Sequence, residues 1–129
     1  MAINDSIDAQ ARIVGLTYVS EPTIEELTAT LRAIFRSTDY RPGFGFLVDR
    51  RTIAPPTRAF VEELLAFMTL QRTALAGGRW ALVFSDAAGY DMGRIQQEVV
   101  EGSSGPVVVR PFRHVQQAEA WLRETDPEK

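Results

Sequence analysis

FLVDRRTIAPPTRAF, residues 46–60, decides how this chain is built. Phe46, Leu47 and Val48 are a short continuous apolar run, the pattern of a strand buried on both faces. The run stops at Asp49, two arginines follow, and Pro55-Pro56 ends the extended segment. Thr57 then precedes a new apolar pattern, as a helix cap does. Proline at or just before a helix start costs nothing, because the N–H groups it removes have no partner within the helix. The stretch therefore reads as a buried strand handing over to a helix, with Arg50 and Arg51 leaving into solvent.

Working outward, the same handover recurs. ARIVGLTYV (11–19) puts Val14, Leu16 and Tyr18 on one face at period two, as in a half-buried strand. A short partner strand is expected within residues 2–8. In EPTIEELTATLRAIF, Ile24, Leu27, Leu31 and Ile34/Phe35 recur at helical spacing, and Thr23 with Glu26 matches a capping box. RPGFG (41–45) breaks that helix. Thr57 to about Ala76 reads as one long helix closed by Gly77-Gly78. RWALVFSD (79–86) is a second buried strand. Tyr90–Val100 is a shorter helix with Met92, Ile95 and Val99 on one face, and SSGPVVVRPF (103–112) is a third buried strand. His114–Arg123 is a last helix with Val115, Ala118 and Trp121/Leu122 inward, and residues 125–129 should fray.

Buried strands alternating with amphipathic helices predict an α/β fold: a single domain with a mostly parallel sheet of four to five strands. An N-terminal edge strand or hairpin and about four covering helices complete it. Phe46, Val48, Leu82, Phe84 and Val108 should be nearly fully buried.

Composition sets the limits. The 129 residues suit one core; 45% are hydrophobic and 24% charged, as in an ordinary globular domain. With no cysteine, disulfides, thiolate catalysis and cysteine-ligated metals are out of reach. The formal net charge of −3 gives no general attraction to nucleic acid. Apolar runs are too short to span a bilayer, so no membrane insertion is expected and the default location is cytoplasmic. The sole lysine is Lys129, so chemistry that needs a buried lysine has no candidate. A phosphoaspartate receiver built on Asp49 is excluded on that ground.

The layout resembles the SpoIIAA-like group within the STAS superfamily, the anti-sigma-factor-antagonist fold. The resemblance rests on Gly15 in the first long strand, Thr23 followed by IEEL, and GFLVD (45–49). It extends through the helix after TIAPPT and the strand RWALVF to the ending VVVRPFRHVQQAEAWL (107–122). It implies regulation through a protein partner, or binding of a nonpolar or anionic ligand. Signalling members carry an Asp-Ser pair before the second helix, and the serine is phosphorylated. Here that place holds APPT (54–57), with no serine and no aspartate beside Thr57. The expected module is non-enzymatic and works without a phosphoserine switch.

In open α/β sheets, ligands sit beyond the carboxyl ends of the strands. That singles out Asp49, Arg50, Thr57, Ser85, Asp86 and Tyr90 as a candidate ligand-binding set, with Arg51 and Arg110 nearby. The plainer reading is that Asp49 accepts strand-end hydrogen bonds and the arginines are solvated. A small enzyme using Asp49, Asp86 and Tyr90 is the alternative function. His114, the sole histidine, reads as a helix-start residue, and no G-x-S-x-G elbow or metal-ligand cluster is present. No cofactor is implied. The glycines of GYDMGR (89–94) read as loosening a short helix.

The long helix carries a second expectation. Phe60, Leu64, Phe67 and Leu75 form one stripe; Val61, Leu65 and Met68 form another beside it. Together they exceed the face a helix needs to cover a sheet. Either the neighbouring helix packs on the second stripe, or Val61, Leu65 and Met68 meet a symmetry mate in a homodimer.

Overall fold

The structure, a computed structural model, describes residues 2–102 and 105–124. Ser103 and Ser104, at the start of the third expected strand, and the tail at 125–129 lie outside the described residues. In chain order the elements are β1 (Ile3–Asp8), β2 (Ile13–Tyr18), α1 (Ile24–Arg36), β3 (Gly45–Asp49) and α2 (Arg58–Leu70). There follow α3 (Arg72–Leu75), β4 (Arg79–Val83), α4 (Ala87–Gly102), β5 (Val108–Phe112) and α5 (Val115–Arg123).

The five strands lie in the order β1-β2-β3-β4-β5. β1 and β2 form an antiparallel hairpin, and β2 to β5 are parallel. Each parallel step is joined through helical structure, as parallel strands require. The hairpin places β1 at the edge, and its outward residues Asn4, Asp5 and Ser6 are exposed.

Register explains the two faces. Leu16, Val48 and Leu82 stand side by side, as do Val14, Phe46 and Trp80. With Tyr18 and Val109 they form the core beneath α1, α2 and α4. The alternate residues Leu47, Ala81, Val83 and Phe112 pack with Ala118, Trp121 and Leu122 of α5. Phe46 and Trp80 stack with centroids 4.5 Å apart, and Tyr40 meets Phe46 edge-on. The Tyr40 hydroxyl donates to the Ala74 carbonyl at 2.7 Å, tying the loop after α1 to α3.

Helix ends follow local chemistry. The Thr23 hydroxyl accepts from the Glu26 N–H at 3.0 Å, and the Glu26 carboxylate accepts from the Thr23 N–H at 2.9 Å. Thr57 caps α2 by accepting from the Phe60 N–H at 3.1 Å.

Three expectations need correction. The helix expected over 57–76 is interrupted: α2 ends at Leu70, and Gln71 joins it to the single turn of α3. Ala76 and Gly77 then adopt positive φ, 50° and 72°, to turn the chain toward β4. Val108 is 48% exposed, because α5 lies over β3 and β4 and leaves the outer face of edge strand β5 open. The helix expected at 90–100 begins at Ala87 and is rotated, so Gly89, Gly93 and Val100 are the buried side while Ile95 is 41% exposed. Its glycines do not loosen it. A Cβ on Gly93 would stand 2.6 Å from the Phe84 ring and 2.7 Å from Pro111, so their absence lets α4 lie close on the sheet. α2 has no such small residues and stands off from the strands.

A candidate ligand pocket between two helices and the sheet

Asp49 and Arg50 leave the sheet on opposite sides, as successive strand residues must. Asp49 takes three hydrogen bonds from Arg51: the backbone N–H and Nε at 3.0 Å, and Nη2 at 2.8 Å. Partial burial pulls its pKa upward, but those bonds outweigh it and hold the carboxyl below its ordinary value. Asp49 and Arg51 satisfy one another, as the plainer reading expected.

Arg50 does not leave into solvent. It is 4% exposed, the one buried charged side chain among the described residues. Its backbone N–H continues the sheet by donating to Val83 at 2.9 Å. The side chain turns under α2, with the guanidinium 4.9 Å from the Tyr18 ring centroid and 6.0 Å from Phe60. Nη2 donates to Glu21 Oε1 at 3.1 Å and to the Ala54 carbonyl at 3.2 Å. The correction has a physical cause: Arg50 holds the next inward position after Val48, and the Pro-rich turn keeps α2 above it. Burial pushes the Tyr18 phenol up to about 12, against the pull of Arg50, so it stays neutral.

Arg50 and Tyr18 open on a cavity with an apolar wall. Val48, Trp80, Leu82 and Val109 form its floor, Leu64 and Met68 its α2 side, and Gln96 and Val100 its α4 side. The cavity has a volume of about 30 Å³. Among the described residues, three buried side-chain atoms have no hydrogen-bond partner: Arg50 Nε, Trp80 Nε1 and Gln96 Oε1. All three belong to residues that line this cavity. An orphaned buried polar atom costs about 1–3 kcal/mol, so their gathering around one hollow is not a neutral feature of packing.

The hollow shares Val61 and Gln96 with a groove at the surface, where Met92, Ile95 and Val99 of α4 face Arg58 and Glu62 of α2. Arg58 and Glu62 pair across one helical turn at 3.2 Å and form part of its rim. The seam between α2 and α4 thus carries a largely apolar groove beside the cavity.

The six candidate residues do not line one common hollow. Arg50 alone of them lines the cavity. Thr57 caps α2 and borders a shallow hollow with Glu21 and Ile53. The Ser85 carbonyl accepts from Arg113 at 3.2 Å, and Asp86 caps α4 by accepting from the Gly89 N–H at 2.8 Å. Tyr90 lines a separate depression with Arg110 and His114. Of the trio of the enzyme alternative, Asp86 and Tyr90 are one helical turn apart, the Tyr90 N–H donating to the Asp86 carbonyl at 3.1 Å, while Asp49 is held by Arg51. Val61 and Met68 are 5% and 4% exposed and line the cavity with half-buried Leu65. Among the described residues, no three His, Cys, Asp or Glu side chains gather to hold a metal, and no helix is long and apolar enough to cross a membrane.

Sequence reasoning missed Trp80 and Gln96. A tryptophan inside an apolar strand needs a partner for its N–H, and that was the available signal. Gln96 gave none, since a helical glutamine is usually solvated.

No protein-family model matches the chain, and no curated protein matches it. Among solved structures, the chain is similar to an uncharacterised protein of the DUF3478 family with a SpoIIAA-like fold, from Shewanella loihica PV-4. The superposition covers 94% of this chain and 92% of that one, with a TM-score of 0.63 and 15% identity. The fold is SpoIIAA-like, as the sequence resemblance implied.

Proposed function

We propose that this chain is a binding module for a small, mostly apolar molecule, held in the cavity between α2, α4 and the sheet. One observation carries the reading: three residues, each with a buried polar atom unpartnered among the described residues, line a single apolar hollow. Ligand sites have this composition, an apolar wall with a few convergent polar groups. The interior is narrow as it stands, so entry requires α2 to move outward along the seam. α2 is suited to that, since it lacks the close sheet contact that holds α4. The module works without a phosphoserine switch. APPT stands where the Asp-Ser pair would be, and the Thr57 oxygen already accepts the Phe60 N–H.

Native mass spectrometry of protein purified without denaturation tests the reading. The expected result is a non-covalent small-molecule adduct that Leu65→Trp, which fills the cavity rim, removes while the fold is kept. A protein with no adduct, whose melting temperature no straight-chain ketone, alcohol or amide raises, would overturn it.

A further inference from the structure

The pocket's polar groups specify more than a place to bind. Arg50 Nε and Trp80 Nε1 are both donors, and neither guanidinium nor indole has an acceptor to offer. Gln96 contributes an acceptor oxygen, and a half-turn of its amide would present the NH₂ instead. The fixed demand on a ligand is therefore for hydrogen-bond acceptors.

An arginine in an apolar pocket ordinarily suggests an anion. Here its charge is already matched. Arg50 Nη2 lies 3.1 Å and 3.3 Å from the two Glu21 oxygens, and the guanidinium also rests on the Tyr18 ring. Glu21 is half-exposed, whereas Arg50 is 4% exposed, so the pair sits at the boundary of the core. The other polar residues lining the cavity, Tyr18, Trp80 and Gln96, carry no charge, and no second cation lines it. A carboxylate brought to Arg50 Nε would leave two negative groups on one guanidinium, with desolvation opposing the added charge. A neutral acceptor meets the same donors without that repulsion.

Accordingly, and resting on the ligand-binding reading above, we infer that the pocket takes a neutral amphiphile, an apolar chain bearing a carbonyl or amide acceptor, and discriminates against the matching carboxylate. Arg50 and Trp80 supply the donors, and Glu21 is the positioning residue that sets the charge preference. The α2–α4 groove of Met92, Ile95 and Val99 lodges the remainder of the chain.

Nonanamide and nonanoate, equal in length and different in charge at pH 7, test this. Each is titrated into the protein while the two tryptophan indole N–H resonances are followed. Trp121 lies on the opposite face of the sheet and serves as the internal control. The amide should move the Trp80 resonance, leave Trp121 in place, and bind about tenfold or more tightly than the carboxylate, since two like charges on one partner cost several-fold or more in affinity. Glu21→Gln, at a half-exposed position where folding is not at risk, should narrow or reverse the preference by freeing the Arg50 charge. Nonanoate binding as well as nonanamide in the unmodified protein, with the same Trp80 response, overturns the neutral-ligand inference and leaves the pocket standing. An amide preference unchanged in Glu21→Gln also overturns it. No Trp80 response to either molecule up to millimolar concentration overturns the pocket itself and this inference with it.

Discussion

The two faces of the sheet solve the same problem differently. Under α5 the polar groups are matched and the apolar ones are packed: Arg79 Nη1 donates to the Trp121 carbonyl at 2.6 Å while its guanidinium lies 5.1 Å from the Trp121 ring. Arg110 stands 5.4 Å from the Phe112 ring from outside. Under α2 and α4 the arginine is inside, three residues (Arg50, Trp80 and Gln96) each carry a buried polar atom without a partner among the described residues, and the helices leave a hollow. One face is arranged as a core is; the other keeps donors unmatched at a cost in stability. Such a cost persists where the surrounding structure outweighs it and function uses it.

That contrast is open to direct attack. The largest expected effect is on the closed face. Trp121→Ala should lower unfolding stability by about 3–5 kcal/mol, as large-to-small changes in a packed core do, measured by urea denaturation. A loss below about 1 kcal/mol would mean that α5 is not the packed side.

Arg50→Met sharpens the comparison from the cavity face. Replacing a buried ion by an apolar side chain of similar length is often neutral or stabilising, and the Glu21 left behind is half-exposed and can hydrate. Stability should change by no more than about 1 kcal/mol in the same experiment, while ligand affinity falls. A loss comparable to that of Trp121→Ala would show that Arg50 is structural after all.

The smallest effect concerns Asp49. Its folded pKa is depressed, so the stability it lends is present above the ordinary carboxylate pKa and is lost as pH falls through the folded value. Arg51 is 48% exposed, so solvent screening keeps the contribution below about 1 kcal/mol. Asp49→Asn should therefore lower stability by less than about 1 kcal/mol at neutral pH and converge with the unmodified protein at acid pH, flattening the shallow acid-side decline. A larger acid-side loss that persists in Asp49→Asn would assign it to another carboxylate.

The sequence by itself determined the order of elements, the hairpin at the N-terminal edge, the parallel run from β2 to β5 and both capping threonines. Those features are local: period two, helical spacing, and a hydroxyl three residues before the N–H it accepts. It also marked Arg50, but as a solvated residue, and it placed the candidate site at the strand ends. Only the tertiary structure decided which side each residue serves. Gly89 and Gly93 turn α4 by fitting against Phe84, a contact between segments that spacing cannot reveal. Val108 is exposed because α5 lies mainly over β3 and β4 and meets the edge strand at Phe112. Arg50, Trp80 and Gln96 come from three elements, and what unites them is a volume left between helices at different heights above one sheet. Periodicity records which way a side chain points from its own backbone. The space it points into is set by neighbours distant in the chain, and so is the absence of a partner there.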